Sequence, residues 1–491
     1  MSKAYKIIGL LDHMGWGNLG DAAIQEAFIA NIRKRLPNAR LLAFSLYPDD
    51  TTERHGLPCY PIRWCYPGWR VVDPPTDGGS VASRGLKSRL KKWRIFYAMA
   101  KPVHDCLQEL VHLVRSYRIV RSLDLLVMSG GGQLCDLHGD LPYNVFKFCV
   151  LARLARTPAF IVGVGADLLK RPANKFFARW SVRLAKYVSF RSVESQALVR
   201  SLGVKRETHV CPDPAYSLDL RDYLTSKSSE ATSPHRIKVL LHQLGVDIEA
   251  DGYPDSVYGL DRQKYQASRP SSRSIPKVGV NPISFCDPRR WPRKDATVYD
   301  RYMDELTAFS SWLLGQNYHL EIFTSDIMDV YALEDLRKRL LAGAPSDVGS
   351  RVTFRPLLTL KELLLQMSTF DFIVTSKFHG VIFSHLLGKP VIALSYLPKI
   401  GHLMHRVGHD RHCVDAEHFD ASGLIERFES LVHESDQLRS LFRNASVAYA
   451  HALHKEFDKL FLPESSWLAR EGYSDAMGSV RAEVPHLAAR E

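Results

Sequence analysis

The chain contains no Cys-x-x-Cys pair. Its eight cysteines are scattered at 59, 65, 106, 135, 149, 211, 286 and 413. That excludes a zinc ribbon or a thioredoxin-type motif and reads as reduced, buried thiols of a cytosolic protein. No run of about 18 apolar residues occurs, so no segment reads as a membrane span. The most apolar zones, around 149–169 and 370–398, are cut by charged residues and by glycine and proline. The apolar stretch after Tyr5-Lys6 is only five residues long, too short for a signal peptide. There is no GxGxxG and no Walker Lys-Ser/Thr pair, so the standard nucleotide motifs are not matched. What is present is ordinary for a globular protein: 491 residues, 45% hydrophobic and 24% charged. That length suggests two or three domains, and the composition excludes collagen-like, disulfide-scaffold and wholly disordered chains. Lys and Arg number 65 against 53 Asp and Glu, a net charge of +12. The excess suggests an anionic partner, whether a phosphorylated small molecule, a nucleic acid or an acidic membrane.

Short continuous apolar runs alternate with helical patterns through residues 1–220, which predicts an α/β domain with a parallel sheet covered on both faces. Strands are expected at Lys6–Leu11, Leu41–Leu46, Leu123–Ser129, Ala159–Val164 and Tyr187–Phe190. Residues 221–275 include two stretches rich in Ser, Pro and Arg and read as an interdomain connector with flexible parts. Alternation resumes over 276–465, from Lys277–Ile283 onward, and predicts a second domain of the same kind that ends in one long helical pattern over 419–461. Residues 466–491 read as a flexible tail. The expected fold class is α/β, two Rossmann-like domains facing across a cleft. Ligands of such sheets bind beyond the carboxyl ends of the strands.

Four segments fall directly after strands. His13-Met14-Gly15-Trp16-Gly17-Asn18-Leu19-Gly20-Asp21 is a glycine-rich turn in which Asp21 is expected to cap the following helix; a helix start can hold an anion, though Asp21 repels a phosphate placed there. Ser129-Gly130-Gly131-Gly132 precedes Asp136; three successive glycines suggest close approach of a ligand or of the other domain, because each costs backbone entropy. Asp136 is a candidate carboxylate in the cleft, or a loop hydrogen-bonder. Arg191 ends one strand and opens a helix, where it can grip a carboxylate or phosphate or pair with Glu194 or a nearby Asp. The run Thr375-Ser376-Lys377-Phe378-His379-Gly380 delivers a cation and a proton-transfer group to the start of an apolar helix. Lys399 follows the next strand as a further cation.

This ordered set resembles the polysaccharide pyruvyl transferase family. The resemblance lies in Asn18 to Asp21, the triple glycine, Gly163-Val164-Gly165-Ala166, Arg191 with Ser195 before Leu202-Gly203-Val204, and Asp213-Pro214-Ala215. It is strongest at Ser376-Lys377-Phe378-His379-Gly380 with Gly388-Lys389-Pro390-Val391-Ile392-Ala393 and Lys399. It spans roughly residues 7–405. The family is similar to two-domain GT-B glycosyltransferases, and its members move a pyruvyl group from phosphoenolpyruvate onto a sugar, usually as a cyclic ketal across two hydroxyls. The resemblance therefore implies phosphoenolpyruvate as donor and a sugar or lipid-linked saccharide of a cell-surface polysaccharide as acceptor. With that donor, His379 reads as the acid and Asp136 as a base or orienting group. Substrate contacts are expected from Arg191, Lys377, Lys399, Asn18, Asp21, Gly131, Gly132 and Gly380. No metal or other cofactor is required by this scheme. The family usually carries Arg two residues before the histidine; Lys377 keeps the charge but loses the planar two-pronged grip.

Two further features are weighed. Residues 84–100 hold six cations within eleven positions and an apolar stripe at Leu86, Leu90, Trp93 and Tyr97. They read as a surface helix packed on its domain, or as peripheral contact of a cytoplasmic protein with the inner face of a membrane. His402, His405, His409, His412 and Cys413 read as a histidine-rich surface rather than a metal site. The competing functional readings are a GT-B glycosyltransferase with a nucleotide-sugar donor, for which Asp410, Asp415 and Glu417 offer ribose-binding carboxylates, and a nucleic-acid-binding protein, for which no recognised module is visible.

Overall fold

The computed structural model describes residues 5–12, 17–64, 93–136, 140–224, 275–289, 291–342 and 351–462, with side chains of the helix Trp93–Arg121 from His104 onward. His13–Trp16, most of the 221–275 connector, most of the 84–100 segment and the 466–491 tail lie outside the described residues.

Two parallel sheets carry the fold. The first comprises β1 (Ile7–Leu11), β2 (Arg40–Ser45), β3 (Cys59–Pro61), β4 (Leu125–Ser129), β6 (Ala159–Val164), β8 (Tyr187–Phe190) and β9 (His209–Val210) in the order β3-β2-β1-β4-β6-β8-β9. β5 (Leu134–Cys135) and β7 (Ala166–Asp167) form a separate small pair. The second sheet comprises β10 (Lys277–Asn281), β11 (His319–Thr324), β12 (Val352–Pro356), β13 (Phe372–Thr375), β14 (Val391–Ser395) and β15 (Cys413–Asp415) in the order β12-β11-β10-β13-β14-β15. The central strands β4, β6, β10 and β13 are buried almost throughout. This is why they read as unbroken apolar runs: helices cover both faces, so neither face has to be polar.

The strand order reverses between β1 and β4 in one sheet and between β10 and β13 in the other. At each reversal, connections leave in opposite directions and open a crevice at the strand ends. The two sheets share one hydrophobic core that runs from Ile8 and Phe28 to Phe370 and Phe457. The terminal helix Ser435–Phe461 contributes to it by reaching back to the first sheet's side. Phe457 packs edge-on against Phe28 at 5.2 Å, Arg35 pairs with Asp458 at 2.7 Å, and Tyr187 donates to Glu456 at 2.8 Å.

Three expectations are corrected. The 419–461 pattern is two helices, Ala421–His433 and Ser435–Phe461, that meet at Glu434. The helix after β1 starts at Leu19, and Asn18 rather than Asp21 caps it, accepting from the Gly20 and Asp21 amides at 3.0 and 3.3 Å. Not every cysteine is buried: Cys135, Cys149, Cys211 and Cys286 are, Cys59 and Cys413 are half-buried, and Cys106 is exposed.

Candidate active site

The loop after β1 touches the loop after β11. Leu19 donates its amide to the Ser325 carbonyl at 2.9 Å, Ile327 donates to Gly17 at 3.3 Å, and Asn18 bridges Asp326. The start of the helix Leu19–Arg35 is thereby fixed against the end of β11. Its first turn also meets the start of the helix Phe378–Leu386. A side-chain carbon on Gly20 would lie 2.0 Å from His379 Nδ1, so only glycine lets the histidine approach this closely.

His379 is mostly buried and its Nε2 lies 3.8 Å from Asp213 Oδ1, an ion-pair distance rather than a hydrogen bond. Asp213 also accepts from Arg191 at 3.0 Å, with the two side chains only 2% and 6% exposed. Burial works against the Asp213 carboxylate, but His379, Arg191 and the Ala215 amide outweigh it and hold its pKa at about 2. Asp21, freed from capping, is half-buried in the same cleft. Burial raises its pKa, as does Asp326, against the opposing pull of His379, Lys399 and Arg191.

Arg191 lies against the Phe378 ring at 4.5 Å, and Lys399 faces the same ring at 5.5 Å. A side-chain carbon on Gly165 would fall 2.6 Å from Arg191 Nε. These residues line a pocket with Ala166, Asp167, Ser192, Ser195, His402 and Arg406. One wall comes from the ends of β6 to β8 and the other from the helices that follow β13 and β14. Burial, then the nearby Arg191 charge, lowers the pKa of Lys399 to about 8.

The other expected residues lie elsewhere in the network. Lys377 does not line this pocket. Its ammonium sits 3.1 Å from Asp326 and 2.5 Å from Asp329, and although burial opposes the charge, these two carboxylates raise its pKa. Burial, with Asp326 adding, pushes Asp329 up to about 6 in spite of Lys377. Lys377 thus anchors the loop whose backbone grips Gly17–Leu19. Lys377→Met should leave two carboxylates unpaired and cost about 3–5 kcal/mol of stability in denaturant unfolding, while Lys377→Arg should keep most of it.

Asp136 accepts from the Lys170 and Arg171 amides at 2.6 and 2.8 Å and from Asn174 Nδ2 at 2.7 Å. Its carboxylate organises the start of the helix Pro172–Leu184, held there by three donors. Gly131 adopts left-handed backbone (φ +73°) beside Asp12, Gly132 faces Arg191, and Gly380 packs on Thr375. Glu194, the partner considered for Arg191, instead pairs with Arg406 at 3.6 Å. The histidine cluster is not a surface feature throughout. His409 and His412 are buried, stacked at 4.4 Å, and His409 contacts the Val391 carbonyl at 3.0 Å. Burial lowers both pKa values to about 4. Among the described residues, no group of three or more His, Cys, Asp or Glu is arranged to hold a metal ion. Asp213 and Phe378 were named in the sequence only as parts of motifs, and Asp326 and Asp329 not at all. Asp-Pro-Ala after a short strand was the available signal for the first; nothing local marks the others, which matter through Lys377.

The structure is similar in fold to UDP-GlcNAc 2-epimerase from Methanocaldococcus jannaschii, with a TM-score of 0.50, 10% identity and coverage of 86% of this chain and 92% of that one. It is also similar to the S. aureus MnaA–UDP co-structure, with a TM-score of 0.52, 10% identity and coverage of 92% and 94%. At that identity the likeness carries the fold alone, which is GT-B-like. No curated protein matches the sequence. The family model for polysaccharide pyruvyl transferase matches residues 18–398, from the asparagine that caps the first helix to the proline that opens the helix bearing Lys399. The chain belongs to the polysaccharide pyruvyl transferase family and is a transferase.

Proposed function

We propose that the chain transfers the pyruvyl group of phosphoenolpyruvate to hydroxyls of a sugar in a cell-surface polysaccharide or its precursor, forming a ketal. The observation that carries this reading is the pocket where Arg191 and Lys399 converge on the Phe378 ring, the residue before His379. A donor with a carboxylate at one end and a phosphate at the other needs two cations, and Arg supplies a planar fork while Lys supplies a point charge.

In the proposed reaction, His379 gives its proton to the methylene carbon of the donor. The double-bond electrons form the new C–H bond, and the adjacent carbon becomes oxocarbenium-like. A sugar hydroxyl attacks that carbon and releases its proton to a base. The C–O bond to phosphate then breaks, inorganic phosphate departs, and a second hydroxyl attacks the same carbon to close the ketal, its proton passing to the now neutral His379. Asp213 supports the imidazolium before transfer. We assign the base to Asp21 rather than Asp136: its raised pKa favours accepting a proton, whereas Asp136 is held by three donors. The carboxylates considered for a nucleotide ribose are engaged with neighbouring side chains: Asp410 with His405 at 2.8 Å, Asp415 with His418 at 3.4 Å, Glu417 with Arg293 at 2.7 Å.

The test is ligand-induced thermal stabilisation, since a ligand that binds only the folded state raises Tm. Phosphoenolpyruvate is expected to raise Tm and a panel of nucleotide sugars is not. The rise should fade as pH climbs through about 8, because Lys399 loses its proton there. Binding an anion favours the charged lysine, so affinity is full below that pH and falls above it. A rise with a nucleotide sugar alone would move the chain to glycosyl transfer.

A further inference from the structure

We propose that this chain docks on anionic lipid bilayers through the outer face of three neighbouring helices, Trp93–Arg121, Leu141–Ala155 and Pro172–Leu184. The middle helix joins the other two: Tyr143 and Lys147 bond Glu109 at 3.0 and 3.1 Å, and Phe146 packs against Phe176 at 5.9 Å. The inward stripe of the first helix is His112, Ser116 and Val120, all buried. Its outward stripe is Leu107, Val111 and Val114 at helical spacing, where a water-facing helix would carry polar side chains. Leu107 is 57% exposed, and the neighbouring helices add Leu154 at 65%, Phe176 at 50% and Trp180 at 38%.

Charge selects the occupant. Leu141–Ala155 and Pro172–Leu184 contain no acidic residue. Arg153, Arg156, Lys170, Arg171, Lys175 and Arg183 are exposed around the apolar side chains. A second copy of the chain would set these cations against their own kind. Nucleic acid would use the cations and leave the aliphatic stripe in water. An anionic bilayer answers both: aliphatic and aromatic side chains enter the headgroup–acyl boundary and the cations meet lipid phosphates. Lys170 and Arg171 follow within four residues of Asp167, which lines the pocket, so one edge of this face adjoins the active site. The inference does not depend on the identity of the donor.

The experiment is co-sedimentation of the full chain with phosphatidylcholine vesicles, with and without phosphatidylglycerol. Two variants accompany it: Leu107→Ser/Val111→Ser/Phe176→Ser removes apolar contacts, and Arg171→Glu/Lys175→Glu reverses charge. Their thermal unfolding and phosphoenolpyruvate response report folding and the donor site separately. Binding to the anionic vesicles should exceed that to neutral ones by about tenfold or more, and each variant should lose about tenfold. Absence of binding, equal binding to both vesicles, or retention by both folded variants overturns the proposal. So does a dimer in light scattering that the apolar variant dissolves, which would assign the face to a second copy.

Discussion

His379→Ala is expected to lower kcat by about 10²–10⁴-fold, the range for loss of a positioned general acid, while donor affinity changes little. The split is the informative part, because an interaction made only in the transition state appears in kcat. The imidazole stands between Asp213 and the start of the helix Leu19–Arg35, whereas in the proposed reaction donor charge is met by Arg191 and Lys399. Gly20→Ala should reproduce much of the effect without touching any ionisable group, since the added carbon would lie 2.0 Å from His379 Nδ1 and must displace the ring. Steady-state kinetics with donor binding measured by calorimetry would check both variants. Equal losses in kcat and donor affinity for His379→Ala would remove the acid role.

Arg191→Ala should be the most destabilising change in the pocket and should also abolish donor-induced stabilisation. Removing one partner of a buried pair leaves the other charge uncompensated, at a cost of about 3–5 kcal/mol. Asp213 gives this a pH signature. Its folded pKa of about 2 lies below the ordinary carboxylate value, so in the wild type it contributes stability that is fully present above about pH 4 and is lost as pH falls toward 2. Without Arg191 the folded pKa rises toward the unfolded one, and the acid limb of Tm against pH should flatten. An unchanged limb would mean that His379 and the Ala215 amide hold Asp213 by themselves. Arg191→Lys should retain part of the stability, but its single ammonium cannot both pair with Asp213 and present a fork to the donor.

Much of the candidate site was legible because parallel sheets export residues from predictable places. Asp21, Arg191, His379 and Lys399 all stand just after strands or at the starts of the helices that follow, and apolar runs ending in Gly, Arg or Lys-Phe-His mark such places. Where the structure surrounds a side chain differently from the sequence reading, the difference has one physical origin. A side chain's chemical role depends on which partners reach it, and those partners came from distant segments. Lys377 looked like a donor-binding cation, but Asp326 and Asp329 lie some fifty residues earlier in the chain. Asp136 looked available until Lys170, Arg171 and Asn174 closed around it. His409 and His412 looked like surface groups until they packed beneath β14.

The sequence by itself determined the class of fold, the placement of most strands and the positions at which chemistry is offered to a cleft. Those follow from local periodicity and from the rule that a doubly covered strand must be apolar on both faces. Only the tertiary structure decided which charges cancel and which remain for a ligand. Gly20 meets His379 because two strand reversals, far apart in sequence, open toward one another, and Arg191 meets Phe378 across the same cleft. Electrostatic energy falls with distance and rises with burial, and both are properties of the assembled cleft rather than of any segment that forms it.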